Sequence, residues 1–167
     1  FSLPESLISQ TGWYPLQSGT SQVLKSIYFV DSHIGYMSGD DILLKSTNSG
    51  NNWLVINDEM GGRAIQFIDA NTGYVCDGTI YKTTNGGVSW SNMNLTSLNG
   101  MYFLNEQIGY AAGKNNQIVK TTNGGVSWQV QSSGGFYNKF NAVCFLSENI
   151  GFAVGGKSVF PYYGVVY

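Results

Sequence analysis

Short alternating runs of apolar and polar residues recur along the chain at a near-constant spacing. Four segments open with such a run, as SIYFVD, AIQFID, GMYFLN and AVCFLS, and continue through a turn into IGYMSG, TGYVCD, IGYAAG and IGFAVG. A third run follows in ILLKST, TIYKTT and QIVKTT, and a fourth opens on tryptophan in WLVIN, WSNMN and WQVQS. Alternation with a period of two is typical of half-buried strands, so each segment predicts four short antiparallel strands.

The segments also repeat literally. The nonapeptide KTTNGGVSW stands at 82–90 and again at 120–128, and KSTNSGNNW at 45–53 is a looser copy. A four-stranded meander repeated at this period is typical of a propeller blade. We therefore predict an all-β propeller of four-stranded blades, with 1–167 as a single domain. Its repeats are approximately 24–57, 62–94, 98–131 and 140–167, with 9–18 as an orphan outer strand.

The two ends of the chain leave two architectures open. The last repeat stops at GVVY, before its tryptophan strand, whereas SQTGWYPLQS near the start carries Trp13 in the tryptophan position. In a closed four-bladed ring, this first strand would complete the last blade and remove two open edges. The alternative, which we favour, is that the chain forms the N-terminal portion of a ring of seven or eight blades.

The repeated turn has a consistent pattern of Ser or Thr, Asn, Gly and Trp. The Asn side chain can bind the amides of its own turn, the Gly can take positive φ, and the hydroxyl adds a second tie. The pattern resembles the Asp-box, or bacterial neuraminidase repeat, with Asn where that family more often has Asp. We expect the tryptophans to be largely buried, so that truncation to Ala costs ~3–5 kcal/mol. The turn residues are Ser46, Asn48, Gly50, Trp53, Thr83, Asn85, Gly87, Trp90, Thr121, Asn123, Gly125 and Trp128.

Taken together, the opening and closing motifs of the repeat resemble the photosystem II assembly factor-like propellers, over nearly the whole chain. Exported repeat proteins of Bacteroidetes-like bacteria are similar. The resemblance implies a non-enzymatic binding or assembly scaffold outside the cytoplasm. A photosystem role does not carry over, because those assembly factors have an arginine-rich face and Arg63 is the only arginine here.

Composition narrows the range of partners. Charged residues make up 11% of the chain and the formal net charge is −2, without a basic stripe that could bind nucleic acid. No apolar run approaches the ~20 residues of a membrane-spanning helix. The weakly charged polar surface indicates an exported bacterial chain that is periplasmic, cell-surface or secreted, and no cofactor is predicted. Cys76 and Cys144 lack metal-type spacing, so we expect buried free thiols.

A polysaccharide-active hydrolase, or its carbohydrate-binding part, is the alternative from another class. A glycosidase needs two carboxylates across a cleft, and Asp40, Asp41 and Asp77 fall on one face of the predicted ring. Asp31 and Asp69 fall at turn positions where Asp is simply a good turn former. The sole histidine, His33, provides no basis for a triad or a metal site. A structural subunit of an extracellular assembly is a third possibility.

The predicted binding face carries the inter-blade loops and the insertion Gly155–Gly164. Variable loops on a rigid scaffold are where binding concentrates, and exposed aromatic side chains suit protein or glycan recognition. Cations just before the first strands should ring the channel mouth and favour an acidic or carbohydrate-like segment of a partner. The candidate residues are Lys25, Arg63, Phe136, Tyr137, Lys139, Lys157, Phe160, Tyr162 and Tyr163.

Overall fold

The computed structural model describes Gly12 and residues 15–131, 138–157 and 164–166, and these residues form strands and turns without a helix. Trp13 and half of the orphan segment 9–18 lie outside the described residues. Every sheet is antiparallel and keeps its strands in chain order, which is the topology of a meander. This confirms the predicted all-β propeller built from four-stranded blades.

Each sheet is one blade, numbered in chain order. Blade 1 contains β1 (Leu24–Phe29), β2 (Gly35–Gly39), β3 (Ile42–Ser46) and β4 (Leu54–Asn57). Blade 2 contains β5 (Ala64–Phe67), β6 (Gly73–Asp77), β7 (Thr79–Thr83) and β8 (Ser91–Asn92). Blade 3 contains β9 (Leu98–Phe103), β10 (Gly109–Gly113), β11 (Ile118–Thr121) and β12 (Gln129–Gln131). Blade 4, as far as the described residues show it, contains β13 (Asn138–Ser147), β14 (Ile150–Lys157) and β15 (Gly164–Val166).

The core lies between the blades. Three apolar clusters fill the three spaces from blade 1 to blade 4, and each combines one face of a blade with the opposite face of the next. Alternation along a strand makes this possible, because successive side chains point to opposite faces. Phe67, for example, packs toward blade 1, whereas Tyr74 packs toward blade 3. A face without a neighbouring blade therefore has no core to join.

The meander places the turns on two rims. The first-to-second and third-to-fourth turns share the Trp rim, where the Gly86 N–H donates to the Asn71 carbonyl at 2.8 Å. The second-to-third turns and the inter-blade loops share the loop rim, where the Gly62 N–H donates to the Gly39 carbonyl at 3.0 Å. At these two rims, the described turns and inter-blade loops meet the solvent.

The third-to-fourth turns, called the Trp turns (46–53, 83–90 and 121–128), have nearly identical hydrogen bonds. In the second, the Thr83 hydroxyl accepts from the Gly87 N–H at 3.0 Å and donates to Asn85 Oδ1 at 2.9 Å. Asn85 Oδ1 also accepts from the Ser89 N–H at 2.9 Å, and φ at Gly87 is 90°. The other two Trp turns repeat these contacts within 0.1 Å. The letter-for-letter repeat therefore encodes one self-satisfied turn.

The tryptophans of these turns are half-buried and not completely covered, so the predicted burial holds in part. Each directly precedes the short fourth strand of its blade. Trp90 contacts the Phe67 ring edge-on at 6.2 Å between centroids, and its Nε1–H donates to the Gly87 carbonyl at 3.2 Å. The prediction for the thiols also holds only in part: both are free, but Cys76 is buried whereas Cys144 is exposed on the outer face of blade 4.

Candidate binding face

The candidate site begins where the first strand of each blade enters the loop rim. Pairing shifts by one residue at Lys25 in β1, at Asn99 in β9 and at Asn141 in β13, as in a β-bulge. Arg63 occupies the equivalent place immediately before β5, where its N–H donates to the Cys76 carbonyl at 2.9 Å. We call these four residues the bulge positions. Bulges re-aim side chains, and they concentrate at functional sites.

Three of the bulge positions border one cleft. It has a volume of about 380 Å³ and is lined by parts of the first strands β5, β9 and β13, with Arg63, Asn99 and Asn141 among the lining residues. We call it the axial cleft, because the innermost strands of successive blades surround the axis of a propeller. Its lining combines the apolar residues Met101 and Val143 with two side-chain amides and one guanidinium.

Close packing holds the walls of the axial cleft in place. The Asn99 side chain is buried, and its Nδ2–H donates to the Phe140 carbonyl at 2.7 Å, which ties blade 3 to blade 4. A Cβ at Gly100 would lie 2.9 Å from Ala142 Cα, so only glycine allows the two first strands to approach this closely. Asn141, by contrast, is exposed and is available to a ligand.

Two of the three cations predicted to ring the mouth are held in ion pairs. Lys25 pairs with Asp40, and Arg63 Nε lies 3.2 Å from Asp77 Oδ1. Each acid comes from the second-to-third turn region of the same blade, so the local charge is close to neutral. Such half-exposed pairs contribute at most about 1 kcal/mol. Asp77 engages Nε alone in this geometry, and a guanidinium has five N–H donors.

The other predicted binding residues are distributed differently. Lys139 lies in β13, two residues before the bulge position Asn141, and makes no ion pair with the described part of the chain. Lys157 is the last residue of β14. The predicted aromatic group lies outside the described residues; it consists of Phe136, Tyr137, Phe160, Tyr162 and Tyr163.

The acids are placed unfavourably for glycoside hydrolysis. Asp40 and Asp77 are in the ion pairs just described, and Asp41 adopts φ of 51° within its turn. No carboxylate is among the described residues that line the axial cleft. An acid and a base or nucleophile would have to face each other across such a cleft. The described chain also contains no cluster of potential metal ligands and no helix suited to crossing a membrane.

Asp31 and Asp69 are turn formers on the Trp rim, in agreement with their sequence context. Asp69 Oδ1 accepts from the Thr72 N–H at 2.7 Å and from the Asn71 N–H at 2.6 Å, and these bonds lower the pKa of its carboxyl. The pKa of Asp31 is lowered in the same way by the amides of Ile34 and His33. Asn105 makes the equivalent contacts in blade 3, so the position requires an acceptor and does not require a charge.

Sequence reasoning missed the two asparagines among the bulge positions. Aligning the first strands places Lys25, Arg63, Asn99 and Asn141 in one column, each directly before the aligned run of apolar residues. That column was the available signal in the sequence, and charge alone distinguishes its two cations but not its two amides. The ion pairs were also hidden, because Lys25 and Asp40 are 15 residues apart and meet only through strand pairing.

Neither a protein-family model nor a curated protein matches the chain. Solved structures do. YCF48 bound to D1 peptide superposes with a TM-score of 0.68 at 21% identity, covering 90% of this chain and 53% of that one. YCF48 from Cyanidioschyzon merolae superposes with a TM-score of 0.69 at 18% identity, covering 92% of this chain and 54% of that one. The GH74 enzyme of Niastella koreensis superposes with a TM-score of 0.68 at 17% identity, covering 86% of this chain and 28% of that one.

The chain thus spans about half the length of the YCF48 structures and between a quarter and a third of the GH74 enzyme. One fold accommodates an assembly factor and a glycoside hydrolase, so function has to be argued from the site. Identities of this size speak to the fold alone, and together with the meander topology they establish it: the chain is a β-propeller.

Proposed function

We propose that the chain is a non-enzymatic binding module that receives a protein segment at the loop rim, over the axial cleft. The observation that carries the proposal is the chemistry of the cleft wall, which offers amides and a guanidinium but no carboxylate among its described residues. Amide and guanidinium groups bind the carbonyls and carboxylates of a peptide. A wall of this kind favours recognition over bond cleavage.

The neighbouring folds are compatible with this proposal. The YCF48 structure contains a bound D1 peptide, so a propeller on which this chain superposes can hold a peptide. For this chain we propose a segment with acidic character, because Arg63 keeps N–H donors beyond the one that Asp77 engages. We also propose that it acts outside the cytoplasm of a bacterium, on the strength of its weakly charged composition.

The test is a fluorescence-anisotropy titration with short extended peptides of acidic, neutral and basic composition. We expect the acidic peptides to bind most tightly, and the double substitution Arg63→Ala and Asn141→Ala to weaken them about tenfold. The matched control is Val88→Ala, an exposed position on the opposite rim. Binding that is unaffected by the cleft substitutions but lost in the control would contradict the proposal.

A hydrolase remains the second candidate, because GH74 enzymes share the fold. Its test is direct: xyloglucan and related polysaccharides are incubated with the protein, and the release of reducing sugar is measured. We expect no release. Release that disappears with Asp41→Asn or Asp77→Asn would replace the binding proposal with an enzymatic one.

A further inference from the structure

Side chains of one blade hydrogen-bond to the backbone of the next blade at two levels. Near the Trp rim, Lys45 and Lys82 donate to the carbonyls of Gly86 and Gly124 in the Trp turns of the following blade. Closer to the axis, side chains of one first strand bind backbone groups of the next first strand. Each first strand pairs only with the second strand of its own blade. The N–H and C=O groups on its free edge therefore depend on such side chains or on a ligand.

Ser26 and Gln66 show how these edge groups are satisfied. The Ile65 N–H in β5 donates to Ser26 Oγ in β1 at 3.2 Å. The Gln66 carboxamide binds both groups of one residue in β9: its Nε2–H donates to the Phe103 carbonyl at 2.8 Å, and its Oε1 accepts from the Phe103 N–H at 2.8 Å. A primary carboxamide can make this double contact because it carries donors and an acceptor side by side.

Met101 has an edge of the same kind, but without a partner. The pairing of β9 with β10 is regular from Gly100 to Phe103, so alternate residues turn their N–H and C=O groups to the same edge. Phe103 turns both groups away from β10, toward Gln66, and Met101 two residues earlier does the same. Neither group of Met101 has a hydrogen-bond partner among the described residues. Met101 is nevertheless buried and lines the axial cleft, where backbone groups are normally paired.

The missing partner has its origin in Ala64. Ala64 and Ser26 occupy the same position of their first strands, directly after the bulge position, and Met101 occupies in β9 the place that Ile65 has in β5. Ser26 caps the Ile65 N–H, whereas the methyl group of Ala64 has no acceptor to offer Met101. Ala64 also lines the axial cleft. The change from a hydroxyl to a methyl group therefore leaves an open donor in the wall of the cleft.

We propose that the axial cleft binds a primary carboxamide, the side chain of a glutamine or asparagine in the partner segment, at the N–H and C=O of Met101. The inference rests on the proposed function and specifies which residue the segment contains. The bound carboxamide repeats the contact of Gln66 with Phe103: its oxygen accepts from the N–H and its nitrogen donates to the C=O. A carboxylate offers only acceptors and an ammonium group only donors, so neither satisfies both groups.

Addition of an extended strand to the edge of β9 is the competing mode of peptide binding. A strand needs successive open residues along that edge, but Met101 is limited on both sides. Gln66 occupies the groups of Phe103 on one side, and the bulge at Asn99 interrupts the alternation on the other. A single open residue suits a side chain better than a strand.

Anisotropy titrations with one acidic peptide that differs only in its central side chain test the inference. The central residue is glutamine, its N,N-dimethyl derivative, which has no donor, or methionine, which has neither a donor N–H nor a carbonyl. We expect the glutamine peptide to bind about five- to tenfold more tightly than the other two, because it alone makes both hydrogen bonds. Equal binding of all three peptides would overturn the carboxamide site and leave the proposed binding function intact.

Ala64→Ser is the matching change in the protein. Its hydroxyl should cap the Met101 N–H as Ser26 caps Ile65, so the preference for the glutamine peptide should fall to about twofold or less. Val88→Ser adds a hydroxyl at an exposed position on the opposite rim and should keep the full preference. Circular dichroism checks that both variants fold. If folded Ala64→Ser retains the full preference, Met101 is not the binding group and the proposal is wrong.

Nuclear magnetic resonance tests the site without a peptide. Propionamide carries the primary carboxamide alone, and N,N-dimethylpropionamide lacks its donors. We expect propionamide to shift the amide resonance of Met101 more than the dimethyl compound does, and to leave that of Ile65, which Ser26 already caps, unchanged. If Met101 responds to both compounds alike or to neither, the inference is wrong. Acidic peptides that fail to bind while Met101 responds selectively to propionamide would instead contradict the proposed function.

Discussion

The Trp rim and the loop rim are built from the same blades but differ in what repeats. On the Trp rim, the three Trp turns have the same hydrogen bonds, and two of their tryptophans contact the phenylalanines that stack on the preceding blade. On the loop rim, the equivalent bulge positions hold Lys25, Arg63, Asn99 and Asn141, which share a backbone position but differ in chemistry. Stability is therefore concentrated on one rim, and the capacity for specific recognition on the other.

Truncation of a phenylalanine that is buried between two blades should show the largest difference between the rims. Phe103 is buried between the stacked Tyr74 ring and the edge of Trp128, so Phe103→Ala leaves a cavity that neither ring can fill. We expect a loss of about 4 kcal/mol in the free energy of unfolding, measured by urea denaturation. Lys25→Ala on the loop rim is the control, with a loss of at most about 1 kcal/mol. Equal losses would erase the distinction between the rims.

The tryptophan of a Trp turn should come next. Trp90→Ala removes the edge contact with Phe67 and the hydrogen bond to the Gly87 carbonyl, but the ring is only half-buried. We expect a loss of about 2 to 3 kcal/mol in the free energy of unfolding, which is less than the ~3–5 kcal/mol lost when a fully buried aromatic residue is truncated. Thermal or urea unfolding of Trp90→Ala and Trp128→Ala should give closely similar values. Unequal values would mean that the turns are not energetically equivalent.

The hydroxyl that organises a Trp turn should have a smaller effect. Thr83→Val keeps the shape of a buried residue but leaves the Gly87 N–H without its acceptor and removes the donor to Asn85. A buried unsatisfied amide costs about 1 to 3 kcal/mol. Thr83→Ser, which retains the hydroxyl as Ser46 does in the first Trp turn, is the control and should be less destabilising. Peptide binding at the loop rim should be unchanged in both.

The smallest effect concerns pH. The pKa of Asp69 is lowered from its ordinary value in the folded chain, because two backbone N–H groups donate to its carboxylate. A lowered folded pKa contributes stability that is present above the unfolded pKa and is lost as pH falls through the folded value. Asp69→Asn should hold its turn as the natural Asn105 does, so the free energy of unfolding at pH 7 should hardly change. Below about pH 4, this free energy should fall less steeply than in the unmodified chain. If the free energies of unfolding of both proteins fall in parallel from pH 7 to about pH 2, this prediction is wrong.

The architecture was readable from the sequence because it repeats. The alternation gave the strands, and the literal copies gave the turns, down to the Ser or Thr hydroxyl, the Asn and the positive-φ Gly. The pattern of Phe, Gly and Tyr in each repeat also held information that went unused. A Cβ at Gly73 would lie 2.5 Å from the Phe67 ring, so the glycine is there to let that ring lie flat.

The candidate site was less predictable, for a physical reason. Ion pairs such as Arg63 with Asp77 depend on strand register, and the axial cleft depends on how three blades are arranged around an axis.

The lysine contacts between blades have an evolutionary consequence. Lys45 and Lys82 are the first residues of two copies of the nonapeptide, and each binds the fifth residue of the next copy, Gly86 or Gly124. The middle copy therefore contains both the donor for its successor and the acceptor for its predecessor. A genetic crossover that duplicated or removed this copy would leave the neighbouring lysine with a glycine carbonyl to bind. The number of blades can thus change in steps of one without a new contact having to evolve.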